Sequence, residues 1–156
     1  VRNSNRKPQI TAFENALKHV CQKLAIELVR DGEGATKLIE VIAEGTQTDR
    51  DAKLAARAIA VSPLVKTAMF GEDPNWGRIL SAAGASGADF NPEKAAVILN
   101  GRPVYKNGKV CNPHAKLLKG NTILIHTILG AGNGFARVWT CDFSYEYIKI
   151  NAEYTT

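Results

Sequence analysis

Apolar residues at helical spacing mark the first regular stretch of the chain. Five of them recur at intervals of three and four residues, which predicts an amphipathic helix from Thr11 to Arg30. Gly32 and Gly34 then end the helix. Residues 1–10 show no such period, and we expect them to form a linker. The five apolar residues are Phe13, Leu17, Val20, Leu24 and Leu28.

From residue 37 to residue 83, short extended and helical patterns follow one another. A β-branched run over 37–43 predicts a strand. Thr48 with Asp51, and Ser62 with Pro63, are helix-start signals, because a capping hydroxyl is followed by an acidic residue or by a proline. The predicted helices cover 49–61, 64–69 and 76–83.

Extended patterns dominate the rest of the chain. Asn100-Gly101 and Asn107-Gly108 are strong signals for two-residue hairpin turns. Because strands and helices are mixed rather than strictly alternating, the pattern favours one α+β domain over 1–156 rather than a doubly wound fold. We predict strands over 96–99 and 121–129, a short helix over 113–118, and a last strand pair from about 136 to 150.

The composition is that of an ordinary globular protein, with 45% hydrophobic and 22% charged residues. No apolar run approaches the roughly 18 residues needed to cross a bilayer, and we expect neither a membrane span nor a signal peptide. The net charge of +5 suggests a nucleic-acid partner, but the basic residues are scattered among acids without interleaved aromatics. We therefore expect no nucleic-acid binding.

Glycine, histidine and cysteine residues offer no catalytic or metal-binding arrangement. The glycine-rich segment 130–134 lacks the following helix that phosphate-binding loops require, so we interpret it as a hairpin turn. The three histidines have no carboxylate at ligand spacing, and the three cysteines are interpreted as small buried hydrophobic residues of a reducing compartment. These residues are His19, His114, His126, Cys21, Cys111 and Cys141.

Three segments are dense in residues that bind small molecules. Segment 31–37 carries two carboxylates, a hydroxyl and an ammonium between a helix and a strand, and Glu33 is either a ligand for a cation or a solvated turn residue. In segment 71–78, Trp76 forms either a pocket wall or the packing of a capped helix start. The tail, 149–156, is either a frayed terminus or a functional element.

Taken together, these segments resemble the ornithine acetyltransferase family, also called glutamate N-acetyltransferases. Three motifs carry the resemblance in the family's order, and it extends over nearly the whole chain from about Phe13. The resemblance identifies the chain as the C-terminal part of the family's β chain. The motifs are Val29-Arg30-Asp31-Gly32-Glu33-Gly34-Ala35-Thr36-Lys37, Ser62-Pro63-Leu64-Val65-Lys66-Thr67-Ala68 continued by Gly71-Glu72-Asp73-Pro74-Asn75-Trp76-Gly77-Arg78, and Cys141-Asp142-Phe143-Ser144-Tyr145-Glu146-Tyr147 with Ile148-Lys149-Ile150-Asn151-Ala152.

The resemblance implies a self-processing acyltransferase with mixed sheets layered with helices. Its precursor cuts its own backbone before a threonine, whose hydroxyl takes the acetyl group of N-acetylornithine and passes it to glutamate in arginine biosynthesis. The resemblance also implies a partner α chain, an α2β2 heterotetramer, and no metal or bound cofactor. It implies a cytoplasmic location, or the mitochondrial matrix in fungi. Some members also accept acetyl-coenzyme A.

Candidate site residues follow from the same resemblance. Glu33 matches the acidic substrate-binding position, Asn151 the asparagine that hydrogen-bonds substrate, and Thr156 the terminal threonine that reaches the pocket. The chain opens with Val1 and lacks the nucleophilic threonine, so we expect it to contain no catalytic residue and to be inactive alone. Two alternatives stay open: a related acyltransferase of a secondary-metabolite pathway, and a non-catalytic basic binding module.

Overall fold

The computed structural model describes residues 6–111, 116–130 and 132–153. Within these ranges the chain forms six strands, five α-helices and one 3-10 turn. The strands are β1 (Leu38–Thr46), β2 (Ala96–Leu99), β3 (Arg102–Lys106), β4 (Lys109–Val110), β5 (Thr122–Ile128) and β6 (Gly134–Cys141). The helices are α1 (Arg6–Arg30), α2 (Asp49–Val61), α3 (Pro63–Phe70), α4 (Trp76–Gly84) and α5 (Tyr145–Glu153), and the 3-10 turn is Pro92–Lys94.

All six strands belong to one mixed sheet in the order β4-β3-β2-β5-β1-β6. Strand β1 runs parallel to β5, and the other neighbouring strands are antiparallel. A parallel pair needs a long crossover, and here the connection from β1 to β5 contains α2, α3 and α4. The predicted α+β class is therefore confirmed.

The hydrophobic core lies on one face of the sheet, beneath α2, α3 and α4. In β1, every second residue is fully buried on this face: Ile39, Val41 and Ala43. Helix α2 presents alanines here, Ala55 and Ala56 among them, so that its backbone can approach the sheet closely. Burying each large aliphatic side chain contributes about 1.5–3 kcal/mol, which makes this layer the main source of stability.

The opposite face of the sheet is only partly covered. Apart from the buried pair Leu38 and Cys141 at one end, its residues on β1, β5 and β6 are half-buried or exposed, and they mix apolar and charged side chains. Arg137 Nε lies 3.0 Å from Glu40 Oε1 on this face, and Phe135 is 47% exposed. The described part of the chain thus forms a two-layer structure with one open sheet face.

Helix α1 is longer than predicted and largely exposed. It begins at Arg6 rather than Thr11, with Pro8 in its first turn, so residues 6–10 are helical although we expected a linker there. Its apolar stripe faces solvent: the side chains of Ile10, Phe13, Leu17, Val20, Leu24 and Leu28 are 50–76% exposed. Among the described helices, α1 included, none is long and apolar enough to cross a bilayer.

Most predicted elements are found within two residues of their predicted ends. The bounds of α2 and β2 are those expected, and Asn100-Gly101 and Asn107-Gly108 turn the chain with left-handed backbone angles. The predicted helix over 113–118 falls partly on residues 112–115, which lie outside the described residues. Lys116–Leu118 form a turn there.

The predicted last strand ends early. Strand β6 stops at Cys141, and residues 145–150, predicted as extended, belong to helix α5. The Ser144 hydroxyl accepts a hydrogen bond from the Tyr147 backbone N–H at 2.9 Å, as an N-cap residue does. Alternating aromatic residues suggested a strand, but this cap starts a helix instead.

Candidate functional site

The loop between α1 and β1, residues 31–37, is held at its C-terminal end by Lys37. The Lys37 ammonium donates hydrogen bonds to the carbonyl oxygens of Leu118 and Gly120 at 3.3 and 3.0 Å, and to Glu72 Oε1 at 3.1 Å. Lys37 therefore ties the C-terminal end of the loop to Glu72 and to the segment 118–120. The loop that contains Glu33 is held in place at this end.

Asp142 holds the same loop from the other side. This carboxylate is fully buried directly after β6 and accepts hydrogen bonds from the backbone N–H groups of Thr36 (2.9 Å) and Lys37 (2.8 Å) and from the Thr36 hydroxyl. Hydrogen bonds to a carboxylate are among the stronger ones in proteins, and three converge on this side chain. Asp142 therefore joins the loop to the segment that leads into α5.

Gly34 lies directly against the first turn of α5. Its backbone adopts φ = +76°, and a Cβ atom added there would lie 2.7 Å from Tyr147 Cα. The Ser144 hydroxyl donates a short hydrogen bond to the Gly34 carbonyl oxygen. Only glycine fits this position, because both the backbone conformation and the contact exclude a side chain.

Glu33 is exposed at the tip of this fixed loop. Among the residues that the structure describes, its carboxylate has no hydrogen-bond or ion-pair partner. A cleft of about 320 Å³ borders the loop and is lined partly by Arg30, Thr36, Lys37 and Asn121. The carboxylate is thus positioned by its backbone and free to pair with a cation.

Asn151 lies on α5, the helix that contacts the loop. Its side-chain amide donates a hydrogen bond to the Tyr147 carbonyl oxygen at 2.8 Å, and the residue is exposed. Residues four apart share one helix face, so Asn151 lies one turn beyond the residue that meets Gly34. Thr156, the third predicted site residue, lies outside the described residues.

Helix α3 fixes α5 from a third direction. The rings of Phe70 and Tyr145 meet edge to face, 5.3 Å between centroids, and the Phe143 backbone N–H donates to the Lys66 carbonyl oxygen at 3.4 Å. Sequence reasoning missed the roles of Asp142, Ser144 and Lys66, although all three lie within the motifs. The available signal was Ser144 at a helix start, which the predicted strand obscured.

Segment 71–78 is structural in the described chain. Asn75 caps α4 by accepting a hydrogen bond from the Arg78 backbone N–H at 3.1 Å. Trp76 stacks on Tyr105 with 4.4 Å between ring centroids and contacts the hydrophobic core. Of the two interpretations, the geometry therefore favours the capped helix start over a pocket wall.

The glycine-rich segment 130–134 allows two backbones to approach each other. A Cβ atom added at Gly132 would lie 2.7 Å from the Thr46 carbonyl carbon, and one at Gly134 would lie 2.6 Å from that of Thr48. Strand β6, not a helix, follows the segment, as expected for a segment that is not a phosphate-binding loop. The prediction of a hairpin turn was wrong, because β1 lies between β5 and β6 in the sheet.

The histidines and cysteines form no common site in the described part of the chain, where no three potential metal ligands cluster. His126 Nε2 lies 3.1 Å from Glu44 Oε1 on the open sheet face, without hydrogen-bond geometry. Cys141 is buried and Cys111 half-buried, but Cys21 is exposed on α1, so the prediction of a buried residue was wrong there. His114 lies outside the described residues.

Comparisons with known proteins agree in fold and family. The family model described as ArgJ family matches residues 2–156. Glutamate N-acetyltransferase of Methanocaldococcus jannaschii is 48% identical over 92% of this chain and 39% of that protein. Arginine biosynthesis bifunctional protein ArgJ of Dehalococcoides mccartyi is 49% identical over 92% of this chain and 36% of that protein. The chain thus spans about two-fifths of the length of these curated relatives.

A solved structure gives the same fold. The crystal structure of arginine biosynthesis bifunctional protein ArgJ from Bacillus halodurans matches with a TM-score of 0.90 and 38% sequence identity. The match covers 97% of this chain and 74% of that chain.

Proposed function

Because this chain belongs to the ArgJ family, we propose that it is the C-terminal part of an enzyme that moves the acetyl group of N-acetylornithine to glutamate in arginine biosynthesis. The names of the similar proteins, glutamate N-acetyltransferase and arginine biosynthesis bifunctional protein ArgJ, support this activity. Since the chain spans only about two-fifths of those proteins, the activity is proposed for the complete protein, which we expect to work in the cytoplasm.

One observation carries the proposal at the level of residues: the exposed carboxylate of Glu33, which has no partner among the described residues, on a loop fixed at both sides. The loop is held by Asp142 and rests on α5 through Gly34. N-acetylornithine keeps an ammonium at the end of its side chain, because only its α-amino group is acetylated. A preorganised carboxylate would bind that ammonium through charge-assisted hydrogen bonds.

Two further contacts to the substrate are proposed from the end of the chain. Asn151 on α5 offers an exposed amide, which both donates and accepts hydrogen bonds. Thr156 follows α5 by three residues in the sequence, and we propose that its hydroxyl contacts the same ligand. Polar groups of this kind select one amino acid well, because a wrong ligand leaves them unpaired.

The chemical step is assigned to a threonine outside this chain. Its hydroxyl attacks the acetyl carbonyl, the amine of ornithine leaves, and an acetyl-threonine intermediate forms. The amine of glutamate then attacks the same carbonyl carbon and restores the hydroxyl. In this scheme the chain binds and orients the amino acid, while the nucleophile and the groups that stabilise the oxyanion belong to the remainder of the protein.

The remainder is proposed to be a separate polypeptide, the α chain. The matched span makes up 74% of the crystallised Bacillus halodurans chain but only 36–39% of the two full-length relatives. The crystallised chain is therefore about half as long as those relatives, which is the length expected if a precursor is cut in two. We propose the same processing here, with an α2β2 assembly as the product.

Two surfaces of the described chain support a tightly bound partner. The apolar stripe of α1 leaves six large side chains at least half exposed. The open sheet face also mixes apolar residues with the ion pair of Arg137 and Glu40. Contiguous apolar surfaces of this kind mark protein contacts, and an α chain is the partner that the family architecture provides.

The transfer assay tests the proposed reaction. The complete protein is incubated with N-acetylornithine, with and without glutamate, and ornithine and N-acetylglutamate are quantified chromatographically. We expect ornithine to form only when glutamate is present and in amounts equal to N-acetylglutamate. A second reaction replaces N-acetylornithine by acetyl-coenzyme A and determines whether the enzyme also takes that donor.

Two results would contradict the proposal. Equal ornithine release without glutamate would identify a hydrolase, because water would then be the acceptor. Transfer from an unrelated acyl amino acid, with N-acetylornithine left intact, would identify a related acyltransferase of another pathway.

A further inference from the structure

A buried lysine and a buried cysteine face each other between α3 and the end of β6. Lys66 is 7% exposed and Cys141 is 8% exposed. The Lys66 Nζ lies 3.7 Å from the Cys141 Sγ and donates a weak hydrogen bond to it. The function proposed above uses neither side chain.

Lys66 has an unusual set of neighbours for a buried ammonium. Its Nζ lies 4.1 Å from the centroid of the Phe143 ring and 5.4 Å from that of the Tyr147 ring. Among the described residues it has no carboxylate partner, although a buried lysine is normally paired with one. The two aromatic rings stabilise the Lys66 ammonium in part. The Cys141 sulfur is the side-chain atom that accepts a hydrogen bond from Lys66 Nζ.

Both side chains are attached to rigid backbone. Lys66 lies in the middle of α3 and Cys141 is the last residue of β6. The hydrogen bond from the Phe143 N–H to the Lys66 carbonyl oxygen ties the two elements together next to the pair. The nitrogen and the sulfur are therefore held within reach of each other.

The sulfur has a thin cover on the side of the loop between α1 and β1. A Cβ atom added at Gly32 would lie 3.8 Å from Cys141 Sγ, so a residue without a side chain covers the thiol. A small oxidant approaching through this loop would pass Gly32 and the small side chain of Ala35, whose Cβ atom lies 3.5 Å from the same position. Larger thiol reagents would meet the buried surroundings of Cys141 instead.

From this geometry we propose that Lys66 and Cys141 are a modification site at which a hydroperoxide crosslinks α3 to the end of β6. The Cys141 thiol attacks the peroxide, the O–O bond breaks, and a sulfenic acid and one alcohol or water molecule form. The Lys66 ammonium loses one proton to solvent, the resulting amine attacks the sulfur, an S–N bond forms, and the S–O bond breaks. The hydroxide leaves with a proton from the nitrogen as a second water molecule.

The crosslink consumes one peroxide and removes two hydrogen atoms from the protein. Sulfenic acids condense with a backbone nitrogen to a sulfenamide, and in this proposal the Lys66 amine takes the place of that nitrogen. The product would fix α3 to the segment that carries Asp142 and Ser144, beside the proposed substrate loop. A dithiol reductant reverses it, because a thiol can attack the sulfur and release the amine.

Peptide mapping of the complete protein tests the site. The protein is treated with hydrogen peroxide under native conditions, digested with trypsin without reduction, and measured by mass spectrometry. Trypsin cannot cleave after a modified Lys66, so we expect residues 58–78 to be linked to residues 138–149. The linked pair should weigh about 2 Da less than the sum of the two unmodified peptides, because two hydrogen atoms are lost. Dithiothreitol should return both peptides.

One variant controls for folding, and one internal thiol controls for indirect oxidation. Lys66→Arg keeps the buried cation but lacks the primary amine, so Cys141 should oxidise to sulfinic acid without a crosslink. Cys21 is exposed on α1 and serves within the same digest as a thiol that oxidises without linking to Lys66.

The proposal is overturned if, in the protein without substitutions, Cys141 is oxidised to sulfinic acid while trypsin still cleaves after Lys66. It is also overturned if Cys21 oxidises completely and Cys141 stays reduced. Neither result depends on acetyl transfer, so failure of this site is distinguishable from failure of the proposed function.

Discussion

At the scale of single residues, Gly34 decides whether the loop of residues 31–37 can rest on α5. Its conformation is left-handed and the backbone of Tyr147 leaves no room for a Cβ atom. The sequence indicated that a glycine-flanked loop with Glu33 is a candidate site. It contained no signal for which segment the loop contacts, because that contact joins residues more than a hundred positions apart.

Gly34→Ala should destabilise the protein more than the same change at Gly87. Both glycines have similar positive φ angles, but nothing lies within 4 Å of a Cβ atom added at Gly87. Left-handed backbone alone costs an alanine about 1–2 kcal/mol, and overpacking at Gly34 adds about 1–3 kcal/mol. Chemical denaturation measures both variants. If Gly34→Ala and Gly87→Ala lost the same unfolding free energy, the close contact between α5 and the loop would be excluded.

Asp142→Ala should be among the more damaging single substitutions near the site. It leaves the backbone N–H groups of Thr36 and Lys37 without their acceptor, which costs about 2–3 kcal/mol of unfolding free energy. Thr36→Val is the matched control, because it removes only the hydroxyl contact to the same carboxylate. If Thr36→Val lowered the free energy of unfolding as much as Asp142→Ala, the hydrogen bonds from the backbone of Thr36 and Lys37 to Asp142 would contribute little to stability.

At the scale of elements, α2 and α5 show where sequence patterns succeed and fail. Thr48, with Asp51 three residues later, and a run of alanines gave the bounds of α2 correctly. In α5 the residues Tyr145, Tyr147 and Lys149 alternate as a strand would, and aromatic residues favour strands. Residues 145–153 form a helix because Ser144 contacts Gly34 and Tyr145 packs on Phe70. These contacts join distant parts of the chain, so a local sequence pattern does not show them.

Ser144→Ala should cost more than Thr48→Ala, although both remove an N-cap hydroxyl. A lost cap costs about 1 kcal/mol in each case. The Ser144 hydroxyl also donates to the part-buried Gly34 carbonyl oxygen, and losing that bond adds about 1 kcal/mol. The Thr48 hydroxyl also donates to Asp51 Oδ2, but this bond is exposed and its loss is offset by water. Thermal unfolding of the two variants under identical conditions gives the comparison. A larger loss for Thr48→Ala would contradict the link between α5 and the loop.

At the scale of the whole molecule, the described chain has more apolar surface than its own layers cover. The period of α1 was visible in the sequence and predicted an amphipathic helix. The sequence could not show that the stripe would face solvent in the described chain, because a pattern of apolar positions does not name the surface that covers it. The sheet order was equally beyond prediction, since strand pairing joins distant segments.

Leu17→Gln combined with Leu24→Gln should weaken the association with the proposed α chain. Both side chains are at least half exposed here, so the chain itself loses little stability. Losing two buried leucines at a contact costs about 3 kcal/mol, which is roughly a hundredfold in affinity. Asn15→Gln combined with His19→Gln alters the opposite helix face as a control. Co-purification of the two polypeptides measures the effect, and equal yields for both double variants would exclude the stripe as the contact.

The most direct test of the central claim, that this loop binds the amino-acid substrate, is the KM for N-acetylornithine of Glu33→Gln in the complete protein. A lost charge-assisted contact costs about 1.5–3 kcal/mol, so KM should rise at least about tenfold, while the melting temperature stays unchanged because Glu33 is exposed and unpaired in the described chain. Asp31→Asn, two residues earlier in the same loop, should leave KM unchanged. A Glu33→Gln enzyme with the KM and kcat of the unmodified protein would contradict the account.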